Sequence, residues 1–164
     1  GRTGPNPLTQ QRVRLPHHRH DQLVIGWTEF VAFPDWDIRG LQAKIDTGAR
    51  TSALHVEDLT TLGDGRVLFH VMLSRHNRER RVEVTAPFKR WGRVRSSTGQ
   101  YRRRCFVETT LRIGPIEKTI EISLVSREDM IFRMLLGRAA LAGDFLVDAS
   151  RRRVLGDARI YDDR

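Results

Sequence analysis

Short β-type stretches, separated by glycine and proline, most limit how this chain can fold. They alternate apolar and polar side chains, and turn residues follow at intervals of roughly 8–12 residues. This spacing is typical of a small all-β barrel. We predict strands at 23–33, 41–45, 51–55, 67–73, 81–84, 105–113, 116–125, 134–136, 145–148 and 153–155.

Proline and glycine set the expected ends of these strands. Pro34 should end the first strand, and Pro87 should stop the strand at 81–84, because proline cannot donate a hydrogen bond to a β-ladder. The remaining predicted elements are a turn at 35–37, a hairpin bend at 63–65, an exposed hairpin with a small flexible tip at 93–102, a turn at 114–115, one or two helical turns at 138–142 and a closing hairpin at 145–155.

The length of 164 residues suits a single domain with a hydrophobic core of its own. We expect a flexible basic arm at 1–22, a folded domain at 23–156 and a short tail at 157–164. His17, His18 and His20 lie in the arm without a cysteine or acidic ligand at metal-site spacing, so a basic tail is favoured over a metal site.

The chain is basic, with a formal net charge of +9. This charge favours acidic partners, either nucleic acid or an acidic peptide, although a solvated basic surface explains it equally well. No apolar run approaches the roughly 18 residues that span a bilayer, so no membrane association is expected. Cys105 is the only cysteine, which excludes an intrachain disulfide and favours a reducing, cytoplasmic location.

One tripeptide carries the candidate chemistry. Asp46, Thr47 and Gly48 follow a predicted strand, and Ala49 comes next. Two carboxyls that share one proton can hydrolyse a peptide bond, the ionised one taking a proton from water and the protonated one polarising the carbonyl. Gly48 would let backbone N–H groups approach the carboxylate, and Thr47 offers a hydroxyl. An Asp in a turn is otherwise an ordinary cap of that turn.

The motif count bears on the oligomeric state. The chain contains a single Asp-Thr-Gly, so the second carboxylate of a dyad has to come from another chain. A twofold axis beside Asp46 would place two copies of the same residue together. An aspartic protease of this kind is therefore expected to be a homodimer.

Several stretches together resemble a known family, the RimK-associated retropepsin-like proteins of the RimB type, often labelled putative ATP-dependent zinc proteases. The resemblance covers roughly 26–155, and its ordered set of motifs is more specific than any one of them. The motifs are Gly26-Trp27, Glu29-Phe30-Val31, the run 43–55, the run 95–99, Arg127-Glu128-Asp129-Met130, and the run 134–138 with Leu141.

This resemblance implies a small closed barrel of the acid-protease type with at most one short helix. It also implies that Asp46 is the catalytic carboxylate, completed by Thr47 and Gly48. The implied supporting residues are Ala49, Arg50, Ser96, Ser97, Thr98 and Gly99 for substrate binding, with 96–100 as a flap tip, and Gly137 and Arg138 for packing behind the catalytic loop.

In order and spacing these motifs also resemble viral retropepsins, but Arg50 departs from that pattern. Viral retropepsins carry an acid at this position, which pairs with the arginine after the late glycine. With Arg50 here, either Arg138 has another partner or Arg50 faces substrate.

The zinc and ATP label disagrees with the residues. No His-Glu-x-x-His occurs, and His55, His70 and His76 lack helical i, i+4 pairing. His55 is expected to be structural. No Walker A sequence is present either. We therefore predict no metal and no cofactor.

The resemblance further implies a functional partner, an ATP-grasp ligase that adds glutamates to a ribosomal protein, and a protease that trims the acidic tail. Arginine forks suit carboxylates, so some arginines near the loop and flap are hypothesised to bind substrate glutamates, although for any single arginine a solvent-facing position is favoured. These arginines are Arg50, Arg93, Arg95, Arg102, Arg103 and Arg104.

Two other interpretations remain open. One is a non-catalytic basic module of the same fold that engages ribosome, RNA or an acidic protein. Among nearby aromatics only Tyr101 and Trp91 accompany the arginines, so nucleic acid is disfavoured as a partner. The other is an inactive relative that only dimerises.

Overall fold

The computed structural model describes residues 21–96 and 98–162. It consists of ten strands and one short helix, with 3-10 turns at Pro34–Trp36 and Ala158–Tyr161. The elements are β1 (Leu23–Gly26), β2 (Thr28–Phe33), β3 (Ile38–Ile45), β4 (Ser52–Thr61), β5 (Arg66–Met72), β6 (Arg81–Arg95), β7 (Tyr101–Ile113), β8 (Ile116–Val125), β9 (Met134–Leu136), α1 (Arg138–Leu141) and β10 (Phe145–Asp148).

Eight strands form one sheet that closes on itself. The order is β2-β3-β9-β4-β5-β6-β7-β8, and additional pairings of β2 with β7 and of β4 with β8 join its parts into a ring. β1 and β10 form a separate parallel pair. The predicted all-β, small closed barrel with one short helix is therefore confirmed.

The core lies inside this barrel because the strands alternate their side chains between two faces. On β5, Val67, Phe69 and Val71 are fully buried, whereas Leu68 and His70 between them are only partly buried. Cys105 is buried in the same core, where burial raises the pKa of its thiol.

The first predicted strand is two strands in the structure. It breaks at Trp27, because β1 pairs with β10 and β2 pairs with β3. β4 runs six residues beyond its predicted end at His55, through a register shift between Glu57 and Thr60. The predicted β8, β9 and helical turn after Gly137 are confirmed.

The prediction that Pro87 stops its strand is wrong. β6 continues through Pro87, which pairs with Arg66 at the end of β5. The neighbouring Phe88 amide donates to Gly65 O at 2.9 Å, so the Pro87 nitrogen points to the other edge of the strand. Pairing with β7 begins at Phe88, so the missing N–H removes no ladder hydrogen bond.

The predicted hairpin of 145–148 with 153–155 is also wrong. β10 pairs in parallel with β1, and Arg153 has a φ of 50°, a left-handed conformation. The fully buried Glu29 carboxylate holds the 153–155 segment instead. It accepts hydrogen bonds from the amides of Gly26 (2.7 Å), Val154 (3.0 Å) and Leu155 (3.2 Å).

The expected basic arm, up to residue 20, lies outside the described residues, as do residues 163–164 and the predicted flap residue Ser97. Tyr161, within the predicted tail, is buried against the barrel, and its hydroxyl donates to Phe30 O at 2.8 Å. No helix in the described part of the chain is long and apolar enough to cross a bilayer.

Candidate active site

The candidate catalytic loop lies where β3 ends. The Asp46 amide donates to Leu136 O at 2.8 Å, so β9 fixes the backbone of the loop. The Gly48 amide donates to Asp46 Oδ1 at 3.0 Å, and the Ala49 amide donates to Asp46 O at 3.3 Å. Asp46 is half-buried. It accepts no further side-chain hydrogen bond from the described residues, so the second carboxylate oxygen is available to another group.

Three strands bring the loop to this position. β9 lies between β3 and β4, pairing in parallel with β3 (Ile45 opposite Leu136) and antiparallel with β4 (Ala53 opposite Leu135). The chain therefore passes over the end of β9 as it travels from β3 to β4. A loop held on both sides presents its carboxylate in one defined position.

Gly137 lies directly against the backbone of this loop. A Cβ at this position would lie 2.6 Å from the carbonyl carbon and oxygen of Thr51, well inside ordinary contact distance. The Gly137 amide donates to Ser52 Oγ at 3.1 Å, and Ser123 Oγ donates to Ser52 O at 3.0 Å. Sequence reasoning missed both serines, because their separation of 71 residues in the chain carries no local signal.

Arg138 closes the loop from the helix side. Its amide donates to Ala49 O at 2.7 Å, and its guanidinium Nη1 donates to Thr47 O at 3.1 Å. The Ala139 amide donates to Arg50 O at 3.0 Å. A backbone carbonyl thus takes the place of the acidic partner that is missing from the sequence. The Arg50 side chain is exposed and pairs with no described residue.

The predicted flap is the turn that joins β6 to β7. The Ser96 amide donates to Gln100 O at 2.7 Å, and Gly99 has a φ of 85°. The hydroxyls of Ser96 and Thr98 lie 2.8 Å apart. Within the described residues, no hydrogen bond joins this turn to the candidate catalytic loop. The role of the turn in substrate binding therefore remains a prediction.

The arginines of this hairpin divide between its two faces. Arg93 pairs with Arg103 across the strands, and Arg95 pairs with Tyr101, so these side chains share one face. The Arg93 guanidinium lies 4.8 Å from the Tyr101 ring centroid, and the Arg103 guanidinium lies 4.5 Å from that of Trp91. Cation–π stacking thus pairs the two exposed aromatics with arginines on a single surface.

Arg102 and Arg104 project from the opposite face of the hairpin. Burial, and then the charges of Arg102 and Arg127, lower the pKa of Arg104. The predicted arginine set is therefore not one cluster. Three of its members, Arg93, Arg95 and Arg103, share the aromatic face.

His55 is almost completely buried, at 1% exposure. Its Nδ1 accepts a hydrogen bond from the Arg127 amide at 3.0 Å. Burial, followed by the positive charge of Arg133, lowers its pKa. Among the described residues, no three His, Cys, Asp or Glu side chains are grouped as metal ligands. The absence of a metal stays a prediction.

Comparison with known proteins gives one family match. The profile of the RimB-like family, described as retropepsin-like aspartic endopeptidase RimB, matches residues 24–157. In solved structures, the fold is similar to that of a Legionella pneumophila protein of unknown function, with a TM-score of 0.69 and 22% identity, covering 82% of this chain and 99% of that one.

Two curated relatives share about 30% identity with the chain. A probable alpha-L-glutamate ligase of Shewanella pealeana is 29% identical over 140 residues, which cover 84% of this chain and 31% of that protein. A protein of the same name from Desulfotalea psychrophila is 31% identical over 137 residues, covering 82% of this chain and 30% of that protein. The chain thus spans about a third of the length of these relatives.

The family match covers all eight strands of the closed sheet and includes the Asp46 loop. By that match, this chain belongs to the RimB-like family of retropepsin-like aspartic endopeptidases.

Proposed function

We propose that the chain is an aspartic endopeptidase that works as a homodimer, with Asp46 and Asp46 of the partner subunit as its dyad. One observation carries the proposal: each chain holds a single Asp-Thr-Gly carboxylate, half-buried, on a loop fixed by β9 and by Gly137. The Gly48 amide bond to Oδ1 orients that carboxylate. One oxygen is left to meet a second carboxyl, a water molecule or a substrate.

The proposed reaction uses the two carboxyls in opposite protonation states. The ionised carboxylate removes a proton from water as the water oxygen bonds to the scissile carbonyl carbon, and the protonated carboxyl donates its proton to the carbonyl oxygen. As the tetrahedral diol collapses, the C–N bond breaks and the leaving amine nitrogen takes the proton that the first carboxylate removed from water. The other carboxylate recovers a proton from a diol hydroxyl as the C=O bond re-forms, which restores the dyad. Two carboxylates so close cannot both ionise, so their titration belongs to the pair.

We infer that the substrate is a peptide or protein with an acidic, glutamate-rich segment. Arg50 is exposed beside the catalytic loop, and Arg93, Arg95 and Arg103 share one face of the hairpin. Guanidinium groups bind carboxylates with two parallel hydrogen bonds. Ser96, Ser97, Thr98 and Gly99 would then close over the bound peptide as a lid.

The names of the relatives support a partnership with an ATP-grasp glutamate ligase. Proteins called probable alpha-L-glutamate ligase contain a segment 29–31% identical to this chain. A trimming protease and a glutamate-adding ligase would act on the same acidic tail. We place this activity in the cytoplasm, where the lone Cys105 would remain reduced.

The variant Asp46→Asn tests catalysis. Cleavage of a glutamate-rich peptide should fall by more than about a hundredfold, because a proton-transferring group contributes roughly 10²–10⁴ in rate. The control Asp37→Asn changes an exposed turn carboxylate and should cleave at the wild-type rate. Sedimentation should find the dimer at concentrations that support cleavage. An active monomer, or an Asp46→Asn protein that cleaves normally, would refute the proposal.

A second candidate function is a non-catalytic basic module. The small number of aromatics in the sequence near these arginines disfavours nucleic acid as its partner, whereas the stacking of Arg93 on Tyr101 and of Arg103 on Trp91 on one face favours it. Aromatics interleaved with arginines are a feature of surfaces that bind single-stranded nucleic acid. Under this function, Asp46→Asn would bind an RNA oligonucleotide or an acidic peptide as well as the wild type does. Neither protein would cleave any peptide at any pH.

A further inference from the structure

A second chemically distinctive site lies on the outer face of β4, away from the catalytic loop. Leu54 and Val56 point into the barrel core, so His55 and Glu57 point outward. The loops 73–80 and 126–133 cover this outer face and enclose a cavity of about 160 Å³ above it. The proposed endopeptidase activity does not use this cavity.

A buried positive charge without a carboxylate partner lines the cavity. Arg133 is 8% exposed, and its Nη1 donates to the backbone oxygen of Glu128 at 3.3 Å. Its Nε is shielded from solvent and has no hydrogen-bond acceptor among the described residues. Within residues 21–96 and 98–162, no carboxylate oxygen lies within 4.0 Å of its guanidinium. Burying an uncompensated charge is strongly unfavourable, so an anion bound beside Arg133 would stabilise the folded chain.

The two carboxylates that line the cavity are already paired. Arg78 binds Glu57 at 2.8 Å and Glu128 at 3.2 Å. Arg75 also lines the cavity and has no carboxylate partner among the described residues. Three guanidinium groups against two carboxylates leave one net positive charge around the cavity.

The neutral polar groups of the cavity are hydrogen-bond donors. His55 Nδ1 accepts from the Arg127 amide, so the neutral ring carries its hydrogen on Nε2, which lies 3.8 Å from Glu57, beyond hydrogen-bond distance. Ser74 Oγ accepts from the amides of His76 (3.2 Å) and Asn77 (3.1 Å), so its hydroxyl hydrogen is free to donate.

We propose that this cavity binds one small carboxylate anion, with Arg133 as its counter-ion, Arg75 at the entrance and the His55 and Ser74 hydrogens as neutral donors. The volume accommodates the carboxylate end of a short aliphatic acid or of an acidic side chain. One net positive charge matches a monoanion, and the nearby glutamates oppose a more highly charged phosphate. A planar carboxylate also matches the geometry of a guanidinium.

The test uses propionate, N-acetyl-glutamate α-amide and inorganic phosphate as probes, each titrated to millimolar concentration. Binding is followed by the NMR shift of ¹³C-labelled His55 and by the thermal midpoint. Propionate or the capped glutamate should shift both signals. Tighter binding of propionate indicates that the natural ligand is a free acid, and tighter binding of the capped glutamate indicates a peptide side chain. Either result supports a carboxylate site.

Matched variants locate the binding. The affinity for propionate and for the capped glutamate should fall about tenfold or more in Arg75→Ala and be lost in Arg133→Gln, because charged hydrogen bonds to the bound carboxylate are removed. Arg39→Ala, an exposed arginine of a different surface pair, should bind as the wild type does, and so should Asp46→Asn. Arg75 is exposed, so Arg75→Ala keeps the test valid if Arg133→Gln does not fold.

Three results would overturn the proposal. They are binding of phosphate but of neither carboxylate, carboxylate binding that is unchanged in both Arg75→Ala and Arg133→Gln, and no response of His55 to any probe. The behaviour of Asp46→Asn separates this site from the proposed peptidase, because loss of cleavage with retained carboxylate binding leaves the two sites independent.

Discussion

Replacing Gly137 by alanine should displace the candidate catalytic loop. The new Cβ would lie 2.6 Å from the Thr51 carbonyl atoms and 2.9 Å from Arg50 C. An ordinary contact begins near 3.4 Å, so the loop backbone or β9 has to move by roughly 0.8 Å. These atoms belong to backbone on both sides, and no flexible side chain can absorb the movement.

The cost follows from the contacts at this position. Overpacking a tight site costs about 1–3 kcal/mol, and weakening the bond from the Gly137 amide to Ser52 Oγ adds about 1 kcal/mol, so the free energy of unfolding should fall by about 2–4 kcal/mol. The bonds to Ala49 O and Arg50 O should weaken too, because they hold the same loop. The rate of peptide cleavage should therefore fall by more than the loss of folded protein alone would cause.

Urea unfolding at a fixed protein concentration measures this change, because dimerisation would make stability depend on concentration. Gly63→Ala is the matched control, since a Cβ at Gly63 meets no atom within 4 Å, and it should change the free energy of unfolding by less than about 0.5 kcal/mol. A Gly137→Ala protein as stable and as active as the control would refute the steric argument.

Two further predictions concern buried polar groups. Glu29→Ala should lower the free energy of unfolding by roughly 3–5 kcal/mol, because three amides lose their acceptor, and Glu29→Gln should cost less; equal urea midpoints of Glu29→Ala and the wild type would contradict this. The native pKa of His55 is lowered, so its contribution to stability should be complete above about pH 6.5 and should decrease as the pH falls from there towards the native pKa. His55→Gln should remove this part of the pH dependence, measured as urea midpoints across pH, and an unchanged acid slope would argue against it.

The local pattern of the sequence predicts most of the fold. Alternation and Gly-Pro turns predict β8 with its observed bounds, and the apolar run before Gly137 predicts β9. The errors occur where a distant partner decides the conformation. β6 passes through Pro87 because it changes partners there, and 153–155 follows the Glu29 carboxylate rather than a neighbouring strand.

The candidate site could be predicted in part. Asp46, Thr47 and Gly48 are adjacent in the chain, so the motif alone predicts the turn that the Gly48 amide completes. The partner of Arg138 could not be predicted, since the guanidinium reaches a backbone carbonyl at Thr47, 91 residues away in the chain. Nor could the cavity beside His55, because three separate segments form it.

Residue types and short-range patterns therefore determine the candidate reactive group, the β class of the fold and, under the proposed mechanism, the need for a second carboxylate, because these depend on residue type, periodicity and a motif count. The position of that group depends on long-range packing: β9 lies between β3 and β4, Gly137 has no side chain where the loop crosses, and Ser52 bonds the Gly137 amide. The division of the hairpin arginines between two faces depends on strand register, which emerges only when β6 pairs with β7.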